Sequence, residues 1–145
     1  MKRKVAVIVG SRSDLTQCES GIEWLRTAHN EELIELQGIH VMSIHRNTDE
    51  VLDFLDEVGA NLDVLIIGAG WANHLTGTCD AFLRYSLKNT STVVIGVAFA
   101  DEKDELKTLT AIRSIQHVPG TQVLFEGFVG EKGFTQAVER AVTGV

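Results

Sequence analysis

Val5-Ala6-Val7-Ile8-Val9-Gly10-Ser11-Arg12-Ser13-Asp14 is the stretch that decides the fold. Five consecutive apolar residues closed by a glycine read as a strand covered on both faces, the way parallel strands are buried. Ser13 or Asp14 then opens a helix that frays out by about Asn30, with Ile22 and Leu25 turned inward. The alternation continues outward from there. Gly38 breaks the pattern, and Ile39 to Ile44 forms the second strand. Thr48-Asp49-Glu50 supplies a capping threonine and two acids at the positive end of a helix dipole. Val51, Leu52, Leu55 and Val58 follow at helical spacing, and Gly59 stops the helix. Val64 to Ile67 is the third strand, Gly68-Ala69-Gly70 its turn, and a helix runs from Leu75 or Thr78 to Leu87. Val93 to Val97 is the fourth strand and Asp101 to Ile115 a charged, largely helical segment. Val123 to Phe125 is the fifth strand and Phe134 to Val142 the last helix.

Strictly alternating strands and helices predict an α/β fold. It is a three-layer αβα sandwich around a doubly wound, flavodoxin-like parallel sheet, in a single domain spanning residues 1–145. Hydrophobic residues are 44% and charged residues 23% of the 145, enough for one core without disulfides or metal. The net charge of −7 argues against nucleic acid, which selects a basic face. It leaves room for a small phosphorylated molecule, since backbone N–H groups and one arginine suffice for a local positive pocket. Cys18 and Cys79, the only cysteines, form no CxxC motif, so neither a zinc site nor a redox pair is expected. The basic start Met1-Lys2-Arg3-Lys4 precedes an apolar run too short for a signal segment or a membrane span, so a cytoplasmic location is expected.

In open parallel sheets ligands bind beyond the carboxyl ends of the strands, where strand order switches. Three loops there carry chemistry. In Gly10-Ser11-Arg12-Ser13-Asp14, Ser11 and Ser13 bring hydroxyls to a helix start that favours anions. Asp14 would repel a phosphate and suits a sugar hydroxyl. The same residues also make a plain capped turn. In Ser43-Ile44-His45-Arg46, the guanidinium of Arg46 can clamp a phosphate. The imidazole of His45 can move a proton near neutral pH or serve as a structural hydrogen bonder. His40 and His45 lie on opposite faces of a regular strand, which disfavours a shared metal. In Gly68-Ala69-Gly70-Trp71-Ala72-Asn73-His74-Leu75-Thr76-Gly77, three glycines let a ligand approach the backbone, and Asn73, His74 and Thr76 add polar groups.

Together these three segments, in order, resemble the PurE family, the carboxyaminoimidazole ribonucleotide mutases and aminoimidazole ribonucleotide carboxylases of purine synthesis. The family's Gly-Ser-x-Ser-Asp is Gly10 to Asp14, its Ser-Ala-His-Arg is Ser43 to Arg46, and its Gly-Ala-Gly-Gly-Ala-Ala-His-Leu-Pro-Gly is Gly68 to Gly77. Ile115-Gln116-His117-Val118-Pro119-Gly120 looks like the family's Gln-Met-Pro segment. The resemblance implies that Ser11, Ser13, Asp14 and Arg46 hold the ribose phosphate and that His45 is the catalytic proton shuttle. Ser43, Gly70, Trp71 and Leu75 would line the imidazole and carboxylate pocket, with His74 in support. It implies carboxyl transfer on an aminoimidazole ribonucleotide with carbon dioxide held in the pocket, no metal or other cofactor, and an octamer. Trp71 replaces the family's second glycine, Thr76 its proline, and the acidic run Asp101-Glu102-Lys103-Asp104-Glu105 stands where the family has a Pro-Val-Gln-Ser type loop. Direct carboxylation by carbon dioxide, a related nucleotide substrate, and a non-catalytic nucleotide-binding domain are the alternatives.

Overall fold

A computed structural model describes all residues, 1–145. Its sheet has four parallel strands, β1 (Arg3–Val9), β2 (Ile34–Val41), β3 (Val64–Ala69) and β4 (Val93–Ala98), in the order β2-β1-β3-β4. The helices are α1 (Glu19–Asn30), α2 (Thr48–Glu57), α3 (His74–Ala81), α4 (Glu105–Gln116) and α5 (Gly130–Thr143). The α/β sandwich with a flavodoxin-like sheet expected from the alternation is the fold observed.

The apolar runs are buried on both faces because alternate residues feed two cores. Val5, Val7, Val9, Val64, Ile66, Ile95 and Val97 enter the core shared with α1 and α5. Ala6, Ile8, Leu65, Ile67 and Val94 enter the core shared with α2 and α3. The helices meet these faces at helical spacing: Gly21, Leu25 and Ala28 on α1, Phe134, Ala137, Val138 and Ala141 on α5. A Cβ at Gly21 would come within 2.4 Å of the Phe134 ring, so glycine sets how closely α1 and α5 approach.

Several boundaries differ from the sequence expectation. The second strand is Ile34–Val41, not Ile39 to Ile44. Gly38 does not end the pattern; at φ 113° it lies within the strand where pairing slips from Val5–Leu36 to Val7–Ile39, a bulge. Ser43 to Arg46 therefore lie past the strand, in a turn. The first helix begins later, because Arg12–Gln17 forms a 3₁₀ turn before α1. The last begins one turn earlier, at Gly130. α3 ends at Ala81, and Phe82–Ser86 continues it as a wider π turn. The fifth strand does not form. Leu124 bridges Ile95 and Val129 bridges Ala98, so five residues of one chain segment span three of the other, with Gly127 at φ 73° between them. The acidic run is a capped helix start, with Asp104 accepting from the backbone N–H groups of Leu106 and Lys107.

A buried ion pair closes the molecule near this edge. Arg84 Nε donates to Asp80 Oδ1 at 3.0 Å, and Asp80 Oδ2 accepts from Thr121 Oγ1 and the Gln122 backbone N–H. Both cysteines are buried. Burial, then the Asp14 charge for Cys18 and the Asp80 charge for Cys79, pushes each thiol up to about 12, so neither is a nucleophile near neutrality. No helix is long and apolar enough to cross a membrane.

Candidate active site

The strand order reverses between β1 and β3, and there the carboxyl ends open a cleft of about 400 Å³. Its lining includes every residue assigned to the site from the sequence: Ser11, Ser13, Asp14, Ser43, His45, Arg46, Gly70, Trp71, His74 and Leu75. Gly10, Ile44, Ala69 and Ala72 complete it.

The serine turn follows β1 directly. Gly10 N–H donates to the Gly68 carbonyl at 3.0 Å, tying the first loop to the end of β3. Ser11 and Ser13 Oγ lie 3.0 Å apart, and the Asp14 backbone N–H donates to the Ser11 carbonyl. Asp14 is half-buried beside them. Burial raises its carboxyl to about 6, against a backbone hydrogen bond from Ser11 that acts the other way.

The second loop is held by its own turn. Ser43 N–H donates to Asn47 Oδ1 at 3.0 Å, Asn47 N–H returns to the Ser43 carbonyl, and Ser43 Oγ accepts from the N–H groups of His45 and Arg46. That turn presents both side chains to the cleft. Arg46 Nη2 donates to the Gly10 carbonyl at 3.3 Å, which places the guanidinium next to the serine turn. His45 Nε2 lies 2.9 Å from His74 Nδ1. Two histidines from separate loops thus form one dyad.

The third loop is organised by Asn73, which is fully buried. Its Oδ1 accepts from Thr76 N–H at 3.1 Å and Thr76 Oγ1 at 2.9 Å, and its Nδ2 reaches the carbonyls of Ala69 and Val97. Its own N–H donates to Ser114 Oγ on α4. Asn73 is therefore the cap that aims α3 rather than a ligand contact, and Thr76 is its partner. A proline at position 76 has no N–H to give Asn73. Of the three glycines expected to admit a ligand, only Gly70 lines the cleft. Gly68 lies inside β3, where a Cβ would meet the Phe99 ring at 2.6 Å, and Gly77 packs against Val118. Trp71 has φ 56°, the left-handed conformation that glycine adopts freely. No three His, Cys, Asp or Glu side chains are grouped to hold a metal ion.

A model of the AIR carboxylase family matches residues 4–127. The chain belongs to the AIR carboxylase family. Among its relatives, the N5-carboxyaminoimidazole ribonucleotide mutase of Pseudomonas aeruginosa is 30% identical over 142 residues, 94% of this chain and 76% of that protein. The enzyme of the same name from Vibrio cholerae is 30% identical over 138 residues, 92% and 74% of the two chains. In fold, Treponema denticola PurE superposes with a TM-score of 0.64 at 20% identity, over 98% of this chain and 88% of that one. The signal receiver domain of NarL from Mycobacterium tuberculosis shares the architecture, with a TM-score of 0.52 at 15% identity over 99% of both chains.

Two features of this AIR carboxylase family member have no counterpart in the sequence reading. The first is the contact between His45 and His74, which lie 29 residues apart in the chain. The second is Lys107 on α4, whose Nζ lies 4.0 Å from the centre of the Trp71 ring. A basic residue one turn into a helix that begins near the third loop is the available signal, but it needs the chain path to acquire meaning.

Proposed function

We propose that this chain transfers a carboxyl group on an aminoimidazole ribonucleotide in purine biosynthesis, converting the N5-carboxylated ribonucleotide to the 4-carboxylated one. Family membership and the two mutase relatives support the reaction class. The observation that carries the assignment to residues is the dyad of His45 and His74, set in one cleft with Arg46 and the two serines.

In this reading Arg46, Ser11 and Ser13 hold the phosphate, by charge and by hydroxyl donors. Asp14 accepts from a ribose hydroxyl. Ser43, Gly70, Trp71 and Leu75 bound the imidazole and its carboxylate. The N–carboxyl bond breaks and releases carbon dioxide in the cleft while His45 gives a proton to the exocyclic nitrogen. The electron-rich ring carbon then attacks the carbon dioxide, and His45 takes the proton that this carbon loses. One proton leaves the imidazole and one returns, so the cycle closes without metal, ATP or other cofactor. Confining carbon dioxide against the attacking carbon makes the second step effectively unimolecular. His74, hydrogen-bonded to His45, holds the imidazole in place between the two transfers.

The test is a paired assay of the N5-carboxylated and the uncarboxylated aminoimidazole ribonucleotides, each with and without bicarbonate. Product from the first without ATP or bicarbonate is the expected result. Turnover of the second alone, dependent on bicarbonate, would replace the mutase by a direct carboxylase, and turnover of neither would overturn the reaction. The reading further assigns the chain to the cytoplasm, as one catalytic domain of a homo-octamer. Leu106 and Leu109, large apolar residues exposed within one turn of α4, suit a subunit contact. Light scattering tests the octamer, and a species of 15.9 kDa would overturn it.

A further inference from the structure

Trp71 is the only indole in the cleft, and it is 63% exposed. Its left-handed backbone is an outlier for a bulky side chain, and no core packing of the ring compensates for it. Strain of this kind is retained where a ligand is clamped. The ring also carries a cation. Lys107 Nζ sits 4.0 Å from its centroid, with Asp101 Oδ2 4.0 Å from the same nitrogen, while Lys107 itself does not line the cleft. The indole thus borders the cleft and bears the ammonium.

Resting on the function proposed above, we propose that Trp71, backed by Lys107, is a stacking platform that selects the flat aminoimidazole ring of the ribonucleotide. The ring is electron-rich through its amino group, and so is indole; two such faces repel through their quadrupoles when stacked directly. An ammonium over the indole draws on its π density and reduces that repulsion. Lys107 is a positioning residue, acting through the indole and not touching substrate.

The chain has two tryptophans, Trp24 and Trp71. A Trp24→Phe variant leaves Trp71 as the sole indole emitter. Titration with aminoimidazole ribonucleotide is expected to quench its emission, whereas ribose 5-phosphate, which lacks the base, leaves it unchanged. In steady state, Trp71→Gly suits the backbone conformation and is expected to raise KM about tenfold with little change in kcat, the scale of one base–aromatic stack. Trp71→Phe restores most of that loss. Lys107→Met is expected to raise KM about threefold when Trp71 is present and to have no effect in the Trp71→Gly background, the coupling of a cation that acts through the ring.

Turnover without quenching and with unchanged KM in Trp71→Gly overturns the platform and leaves the reaction standing. Quenching without turnover overturns the reaction and leaves the platform. An equal effect of Lys107→Met in both backgrounds overturns its action through Trp71. Neither binding nor turnover overturns both.

Discussion

His45 Nε2 and His74 Nδ1 lie 2.9 Å apart, and the two rings meet edge to face at 78°. A hydrogen bond between two imidazole nitrogens needs one N–H and one lone pair, so the dyad couples the tautomer of one ring to that of the other and fixes their orientation. His45→Asn is expected to lower kcat by about 10²–10⁴-fold, the range for losing a positioned acid–base group, with an unchanged circular dichroism spectrum. The side chain is exposed and belongs to neither core; the ring contact it makes is with His74. His74→Ala is expected to lower kcat by only about tenfold, because it frees the His45 ring without removing it. Equal losses would make His74 the proton carrier as much as His45.

Arg46 tests the phosphate assignment. Its guanidinium donates within the protein to the Gly10 carbonyl at 3.3 Å, so it is anchored by one bond and keeps donors free. Arg46→Met is expected to raise KM for the ribonucleotide by about 10²-fold with only a small loss of thermal stability, since the fold loses one exposed hydrogen bond to the Gly10 carbonyl while the complex loses its charge-assisted phosphate contact. Initial-rate measurements across substrate concentration check this, and a drop in kcat at constant KM would contradict it.

The site is more legible in the sequence than the sheet that carries it. Ser11, His45 and His74 fall in one cleft because strand ends in a parallel sheet converge whatever the detailed register, so placing three loops needs only the alternation of elements. The second strand is misread because a glycine inside a bulge and a glycine that ends a strand look the same in sequence, and only pairing with β1 separates them. Val123 to Phe125 has strand composition, but at the sheet edge the chain around Gly127 takes two extra residues to cover the same distance. Asn73 and Thr76 read as polar groups offered to a ligand. Burial and the carbonyls of Ala69 and Val97, which only the folded chain brings to its amide, make Asn73 a scaffold instead.

That scaffold gives a stability prediction. Asn73→Ala removes the cap of α3, leaves the buried Thr76 N–H without its acceptor and the Ala69 and Val97 carbonyls without its amide, and leaves the Thr76 hydroxyl only the Ile67 carbonyl. The expected loss is about 3 kcal/mol, combining a lost cap with unpaired buried groups. Urea denaturation measures it. Asn73→Asp keeps the acceptor but loses the two donor contacts to Ala69 and Val97 and adds a buried charge, so it is expected to be no better than alanine.

Asp14 links stability to pH. Its carboxyl, 3.8 when unperturbed, is raised to about 6, chiefly by burial. Between those values the folded chain binds more protons at this position than the unfolded chain, so the contribution is complete below 3.8 and is lost as pH rises through about 6. Above that, the fold carries a partly desolvated charge. Asp14→Asn removes the charge and is therefore expected to be more stable than the parent at about pH 7.5, by on the order of 1–2 kcal/mol once partial exposure is discounted. At about pH 4 the parent carboxyl is itself mostly neutral in the fold, and the gap is expected to close. Chemical denaturation of both proteins at the two pH values measures the difference, and a gap independent of pH would remove burial of the carboxylate as its cause. The same variant is expected to raise KM, since an amide accepts a hydrogen bond from a ribose hydroxyl more weakly than a carboxylate does. A residue whose replacement strengthens the fold and weakens binding is one whose charge serves the ligand rather than the core.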